Sequence, residues 1–181
     1  MDGIRDFACT ETLRNGLRVT IRALRPDDRE RVAAAVKGLD SQSIYTRLFS
    51  YRKELTEAGL NRIMKVDPDH EVMLLVTVGA GADETVIASG RYVGEKPHGG
   101  DCRAEVAFVV EEDYQGLGIA GRVLAHLADI GRARGLMAFE AEVLEENRSM
   151  LRVFARSGLA MQQRREDGTI HVTMSLGPTG R

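Results

Sequence analysis

A glycine-rich turn between an apolar strand and an amphipathic helix constrains this chain more than any other feature. Residues 115–121 read Gln-Gly-Leu-Gly-Ile-Ala-Gly; the apolar run 106–110 precedes them, and a helical pattern continues to residue 134. Glycine lets a ligand approach the backbone closely, and the first N–H groups of a helix have no intrahelical partner. Together with the helix dipole, such groups bind phosphate or pyrophosphate. The pattern therefore predicts an anion-binding loop, with a plain ligand-free turn as the alternative.

The same glycines also match the dinucleotide-binding fingerprint. Gly116, Gly118 and Gly121 have G-x-G-x-x-G spacing, and Glu140 or Glu142 follows where a ribose-binding acid is expected. In a doubly wound fold, however, the glycines follow the strand directly and open the domain. Here other residues intervene, and too little chain follows for alternating strands and helices. An NAD-dependent oxidoreductase is therefore only a distant alternative.

Composition excludes several other classes of protein. The chain has 181 residues and a net charge of -2, which predicts one domain and does not favour a nucleic-acid partner. Its start lacks the pattern of a signal peptide, and its apolar runs are far shorter than a bilayer span. Cys9, Cys102 and the scattered histidines show no metal-ligand spacing. We therefore expect a cytoplasmic protein with no membrane partner and no metal.

The periodicity of apolar residues predicts an α+β fold. Residues 17–177 form one domain, with a mixed, mostly antiparallel sheet of about seven strands and about four or five helices. Residues 1–16 are polar and irregular, and are expected to form a flexible N-terminal arm. The predicted strands cover residues 17–24, 71–78, 85–93, 102–110, 136–144, 160–165 and 169–176. The predicted helices cover residues 27–37, 41–50, 56–65, 115–134 and 147–157.

The segment 104–159 resembles the GNAT superfamily of CoA-dependent N-acetyltransferases. The pyrophosphate loop of that family reads Gln/Arg-x-x-Gly-x-Gly/Ala, and here Gln-Gly-Leu-Gly-Ile-Ala occupies residues 115–120. Residues 146–159 resemble the family's asparagine-led helix, which ends in Gly-Phe, with Leu159 replacing the phenylalanine. The N-terminal half also resembles the bacterial protein-lysine acetyltransferase branch, in Val-Thr-Ile-Arg, Arg-Pro-Asp-Asp and Ser-Ile-Tyr-Thr-Arg-Leu-Phe, which begin at residues 19, 25 and 43.

The resemblance implies a site for acetyl-CoA as co-substrate. The strand that ends at Val110 should splay from the strand that begins near Leu136, so that its main chain can pair with the pantetheine amides. The loop amides would hold the pyrophosphate, and Asn147 would approach the CoA arm or simply cap its helix. The implied cofactor-binding residues are Phe108, Val109, Val110, Gln115, Gly116, Leu117, Gly118, Ile119, Ala120, Gly121 and Asn147.

Transfer to an amine requires a neutral nucleophile, so the site must remove a proton. Glu105 interrupts an apolar strand and is the predicted general base, as in the protein-lysine branch; a solvated surface glutamate is the alternative. Many family members carry a tyrosine where this chain has Phe154, so the leaving thiolate must take its proton from solvent, Tyr114 or Tyr92.

The predicted function is direct transfer of an acetyl group from acetyl-CoA to an amine, with a protein lysine as the favoured acceptor. A small amine, such as an amino acid, a polyamine or a drug, remains an alternative, as does a CoA-binding regulatory module without turnover. The resemblance leaves a homodimer open.

Overall fold

A single mixed sheet forms the centre of the protein. The computed structural model describes residues 4–38, 57–94 and 102–177. The strand order in the sheet is β1-β2-β3-β4-β5-β6-β8-β7, and every neighbouring pair is antiparallel except β5 and β6. The strands are β1 Ala8–Thr12, β2 Arg18–Ala23, β3 Glu71–Val78, β4 Thr85–Gly94, β5 Arg103–Val110, β6 Ala138–Leu144, β7 Ala160–Glu166 and β8 Thr169–Ser175.

Helices cover both faces of the sheet. Those described are α1 Arg29–Gly38, α2 Glu57–Met64, α3 Ile119–Ala133 and α4 Arg148–Ala155. Successive β3 side chains point to opposite faces: Val72, Leu74 and Val76 join the core under α3 and α4, whereas Met73 and Leu75 join the core under α1 and α2. None of the described helices is both long and apolar enough to cross a bilayer.

The predicted α+β class and mixed sheet are confirmed. The prediction of a flexible N-terminal arm over residues 1–16 is wrong for part of that segment. Ala8–Thr12 forms β1, the eighth strand, and pairs with β2 from Ala8↔Arg22 to Thr12↔Arg18. Its sequence, Ala-Cys-Thr-Glu-Thr, has no apolar alternation to signal a strand. The strand is instead held by contacts with α3, far away in the sequence. The helix predicted over residues 41–50 lies outside the described residues.

A buried ion pair fixes the start of α1 against the sheet. Arg22 on β2 donates hydrogen bonds of 2.7 and 2.6 Å to both carboxylate oxygens of Asp28, and one of 2.9 Å to Glu84. Arg22 and Asp28 are 2% and 0% exposed, so neither can exchange its partner for water. Burial opposes the charged carboxylate, but hydrogen bonds from Arg22 and from the amide of Arg25 outweigh it and lower the pKa of Asp28.

The sheet topology excludes a doubly wound dinucleotide fold. Such a fold needs a series of parallel strands joined by helices, whereas β5 and β6 form the single parallel pair among the described strands. The glycines therefore have the spacing of the dinucleotide-binding fingerprint, but the fold around them is not the one that binds dinucleotides.

Candidate cofactor and acceptor site

The two parallel strands form a fork. Their ladder contains three residue pairs, Arg103↔Ala138, Ala104↔Phe139 and Glu105↔Glu140. Beyond that point β5 continues to Val110 beside β4, while β6 continues to Leu144 beside β8. The predicted splay is thus present in the structure. It opens a cleft in the middle of the sheet, with the main chain of β5 along one wall.

The glycine-rich loop lies where β5 leads into α3. Gly116 and Gly118 have φ values of 74° and 85°, a left-handed conformation that glycine adopts without steric cost. Gly118 is also the N-cap of α3 and has no side chain to accept from the first turn. Within the described part of the chain, the N–H groups of residues 116–121 donate no hydrogen bond; the first regular one runs from Arg122 N to Gly118 O. These amides are available to an anion.

Two further contacts shape this loop. The side-chain amide of Gln115 donates to the carbonyl of Val110 at 3.5 Å, which ties the loop to the end of β5. A Cβ at Gly116 would meet nothing within 4 Å, and one at Gly118 would approach Nε of Arg14 at 3.8 Å. Arg14, in the turn between β1 and β2, therefore places a guanidinium beside these amides. Sequence reasoning missed it, because it lies about a hundred residues before the loop.

Glu105 lies at the base of the fork, exposed to solvent, on the face covered by α1 and α2. Its ladder partners are Val93 on β4 and Glu140 on β6. The carboxylate of Glu140 accepts from Arg103 at 2.7 Å and lies 3.9 Å from His171 Nε2. Two carboxylates therefore flank the point where the strands separate, one held by an arginine and the other open to solvent.

A buried cation accompanies Glu105 on this face. Arg91 Nη1 lies 3.4 Å from a carboxylate oxygen of Glu71, and both side chains are largely buried. Burial lowers the pKa of Arg91 to about 10, while the charge of Glu105 opposes that shift, so Arg91 is a cation at neutral pH. Burial also raises the pKa of Glu71. Arg91 interrupts an apolar strand, as Glu105 does, and that signal could have identified it; Glu71 only begins β3 and gives no such signal.

Comparison with known proteins places this geometry in a family. The sequence pattern of the acetyltransferase (GNAT) family matches residues 41–159, about two thirds of the chain. The chain belongs to the GNAT family. It is therefore an acetyl-CoA-dependent N-acetyltransferase, with the fork and the loop as the expected place of its co-substrate.

Individual relatives in the GNAT family are similar to this chain over most of its length. Acetyltransferase PA5475 of Pseudomonas aeruginosa is 28% identical over 88% of this chain and 84% of its own length. Acetyltransferase Pat of Mycolicibacterium smegmatis is 33% identical over 92% of this chain, which spans 48% of that relative. The crystal structure of the GNAT domain of S. lividans PAT has a TM-score of 0.79 at 31% identity, covering 93% of this chain and 96% of the other.

The remaining residues singled out from the sequence have distinct positions in this GNAT domain. Asn147 caps α4, because its Oδ1 accepts from Met150 N at 3.2 Å; its approach to CoA stays a prediction. Phe154 is 1% exposed, with its ring centroid 6.2 Å from that of Phe108, so it packs in the core beside the fork.

The two candidate tyrosines differ in position. Tyr92 is 2% exposed and packs against Phe139 on the α3 face, and burial raises its pKa. Because the sheet separates it from Glu105, Tyr92 is not suited to protonate the leaving thiolate. Tyr114 ends the 3-10 turn Glu112–Tyr114, directly before the loop, and is half-buried. It packs against the same α3-face core as Tyr92, so solvent remains the simplest proton source for the leaving thiolate.

Proposed function

We propose that this GNAT domain acetylates lysine side chains of proteins, with acetyl-CoA seated in the fork. The observation that carries the proposal is the fork itself, with the amides of residues 116–121 beside it, which donate to no acceptor among the described residues. Those amides and the dipole of α3 would hold the diphosphate. The main chain of residues 108–110 would pair with the pantetheine arm, as an added strand does.

Arg14 would add a positive charge to this cofactor site. An exposed arginine next to a phosphate-binding loop can donate two parallel hydrogen bonds to phosphate oxygens. Its contact with the loop comes from the β1–β2 turn, so the edge strand that the sequence did not reveal also contributes to cofactor binding. The proposed cofactor residues are otherwise those predicted from the sequence.

In the proposed reaction, Glu105 accepts a proton from the lysine ammonium, directly or through one water. The neutral nitrogen attacks the thioester carbonyl, and the C–S bond breaks as the nitrogen gives up its second proton to solvent. The CoA thiolate takes a proton from solvent. A thiol pKa near 8.5 makes this leaving group undemanding, so the absence of a hydroxyl at Phe154 does not block turnover.

The electrostatics of the acceptor side support a cationic substrate. On this face Glu71 and Glu140 pair with Arg91 and Arg103, so it is the carboxylate of Glu105 that would attract a cationic acceptor. A cleft of about 320 Å³ lies farther along this face, between α1 and the start of β4, and its lining carries both signs of charge, with Glu30, Arg31, Glu84 and Glu111.

The deciding experiment is a thiol-release assay with acetyl-CoA against lysine peptides, polyamines and free amino acids. We expect release of CoA with lysine peptides and a rise in Tm with acetyl-CoA but not with NAD. Release without any amine, or an equal rise in Tm with NAD, would contradict the proposal. Preference for a polyamine would redirect it to small amines.

Glu105→Gln tests the general base. Loss of a positioned base lowers turnover about 100-fold or more, whereas CoA affinity should not change, because the residue lies at the base of the fork and not in the loop. Glu166→Gln, an exposed acid at the far end of the β7–β8 hairpin, is the matched control. Equal turnover of Glu105→Gln and the wild type at neutral pH would remove Glu105 from this role.

A further inference from the structure

Three potential metal ligands converge between β1 and α3, away from the fork. Cys9 and Glu11 are two residues apart on β1 and therefore share one face, which meets His126 on α3. Sγ of Cys9 lies 3.5 Å, and Oε1 of Glu11 lies 2.6 Å, from the same ring nitrogen of His126, Nε2. The three ligand atoms lie within 4.8 Å of one another, and all three residues are half-buried.

This arrangement differs from a catalytic triad. In a triad the acid contacts one imidazole nitrogen and the nucleophile contacts the other, so that a proton can be relayed. Here the thiol and the carboxylate both approach Nε2, and a single N–H can donate to only one of them. A divalent ion placed among the three atoms would satisfy all of them at once.

The surroundings hold the ligands in place. The other carboxylate oxygen of Glu11 accepts a short hydrogen bond from Arg122, which also donates to the carbonyl of Thr12 at 2.9 Å. The ring of Phe7 packs edge-on against His126, with centroids 5.4 Å apart. Outer groups of this kind orient the ligands of protein metal sites. Oε1 of Glu11, Nε2 of His126 and Sγ of Cys9 thus remain directed toward one point.

We propose that Cys9, Glu11 and His126 bind a zinc ion that fastens β1 to α3. Thiolate, imidazole and carboxylate are the ordinary zinc ligands, and a tetrahedral ion with its usual bond lengths sets sulfur and nitrogen about 3.5 Å apart. The observed Sγ–Nε2 distance already has that value. Glu11 Oε1 must move away from Nε2 by less than about 1 Å, to a separation of about 3.4 Å.

Binding releases the thiol proton of Cys9 to solvent. His126 coordinates as a neutral imidazole, with its proton on Nδ1, and water completes the tetrahedron as the fourth ligand. The expected role is structural, because the cluster lies on the α3 side of the edge strand and shares no residue with the fork. The inference is independent of which amine the enzyme acetylates.

The test uses the full untagged chain and cobalt(II), which is spectroscopically visible in place of zinc. We expect one cobalt per chain, a near-ultraviolet thiolate-to-cobalt band, displacement by zinc, and a rise in Tm with zinc. Cys9→Ser should abolish the band, and Cys102→Ser, which changes the other half-buried cysteine, should retain it. Both serine variants are nearly isosteric, so folding should survive.

Three outcomes would overturn the proposal. They are the absence of the band in the wild-type chain, its persistence in Cys9→Ser, and its loss in Cys102→Ser. A His126→Asn variant adds an independent arm: it should weaken cobalt binding at least tenfold, since removing one of three protein ligands takes away a whole bond. His171→Asn, which changes a histidine on β8, should bind cobalt as the wild type does.

Discussion

Replacing Gly118 with alanine should weaken CoA binding more than it weakens the fold. Gly118 has a φ of 85°, which an L-residue adopts at a cost of about 1–2 kcal/mol. A new Cβ has room, since its nearest neighbour would be Arg14 Nε at 3.8 Å. The cost is therefore backbone strain and not a clash.

The structure indicates whether this strain weakens the fold or the binding of CoA. The amides of residues 116–121 have no partner among the described residues, so the free loop can leave the left-handed conformation with little loss of bonding. The bound loop cannot, because the diphosphate requires the amides in their present arrangement. We expect Kd for CoA to rise about 5- to 30-fold, the equivalent of about 1–2 kcal/mol, and the free energy of unfolding to fall by less than about 1 kcal/mol.

Gly158→Ala provides the matched control. Gly158 also has a positive φ, 77°, and open space for a Cβ, but it joins α4 to β7, away from the loop. Hydrogen bonds of its neighbours Ser157 and Leu159 hold this turn. Gly158→Ala should therefore lower the free energy of unfolding and leave the affinity for CoA unchanged. Calorimetric titration with CoA and urea unfolding measure the two quantities. Wild-type affinity in Gly118→Ala would refute the assigned role of the loop.

Two further predictions concern other parts of the molecule. Asp28→Asn should lower the free energy of unfolding by about 3 kcal/mol, because Arg22 loses the more deeply buried of its two carboxylate partners, Asp28 and Glu84, whereas the exposed Asp27→Asn should have little effect. Because folding lowers the pKa of Asp28, its carboxylate stabilises the folded state fully above the ordinary carboxyl range, and this stabilisation is lost as the pH falls through the folded pKa. Urea unfolding that shows equal acid sensitivity in Asp28→Asn and the wild type would contradict this. Arg14→Gln should raise Kd for CoA about two- to fivefold without changing Tm, whereas equal affinities would remove Arg14 from the cofactor site.

Local patterns predicted much of the fold. Runs of residues with high β propensity located β3 and β4. The predicted Asp167-Gly168 pair, with φ values of 47° and 82°, forms the hairpin turn that joins β7 to β8. The loop before α3 and the splay of β5 from β6 followed from the resemblance to GNAT proteins. These features depend on neighbours in the sequence, or on motifs that stay together along it.

Features that depend on distant contacts were missed. β1 is a polar strand stabilised by Arg122 and His126, over 100 residues away, so its own residues carry little signal. The contacts of Arg14 with the loop, and of Cys9 with His126, likewise arise only when the sheet edge meets α3.

The insertion of β8 between β6 and β7 affects when the enzyme becomes competent during its synthesis. Beyond Glu140, β6 has β8 as its ladder partner, and β7 pairs with β8 alone among the described strands. While residues 169–175 are still inside the ribosome, β6 therefore lacks this ladder partner, and only the β5 wall of the cofactor cleft is formed. Capture of CoA should begin only after residues 169–175 have left the ribosome, when this strand pairs with β6 and completes the second wall.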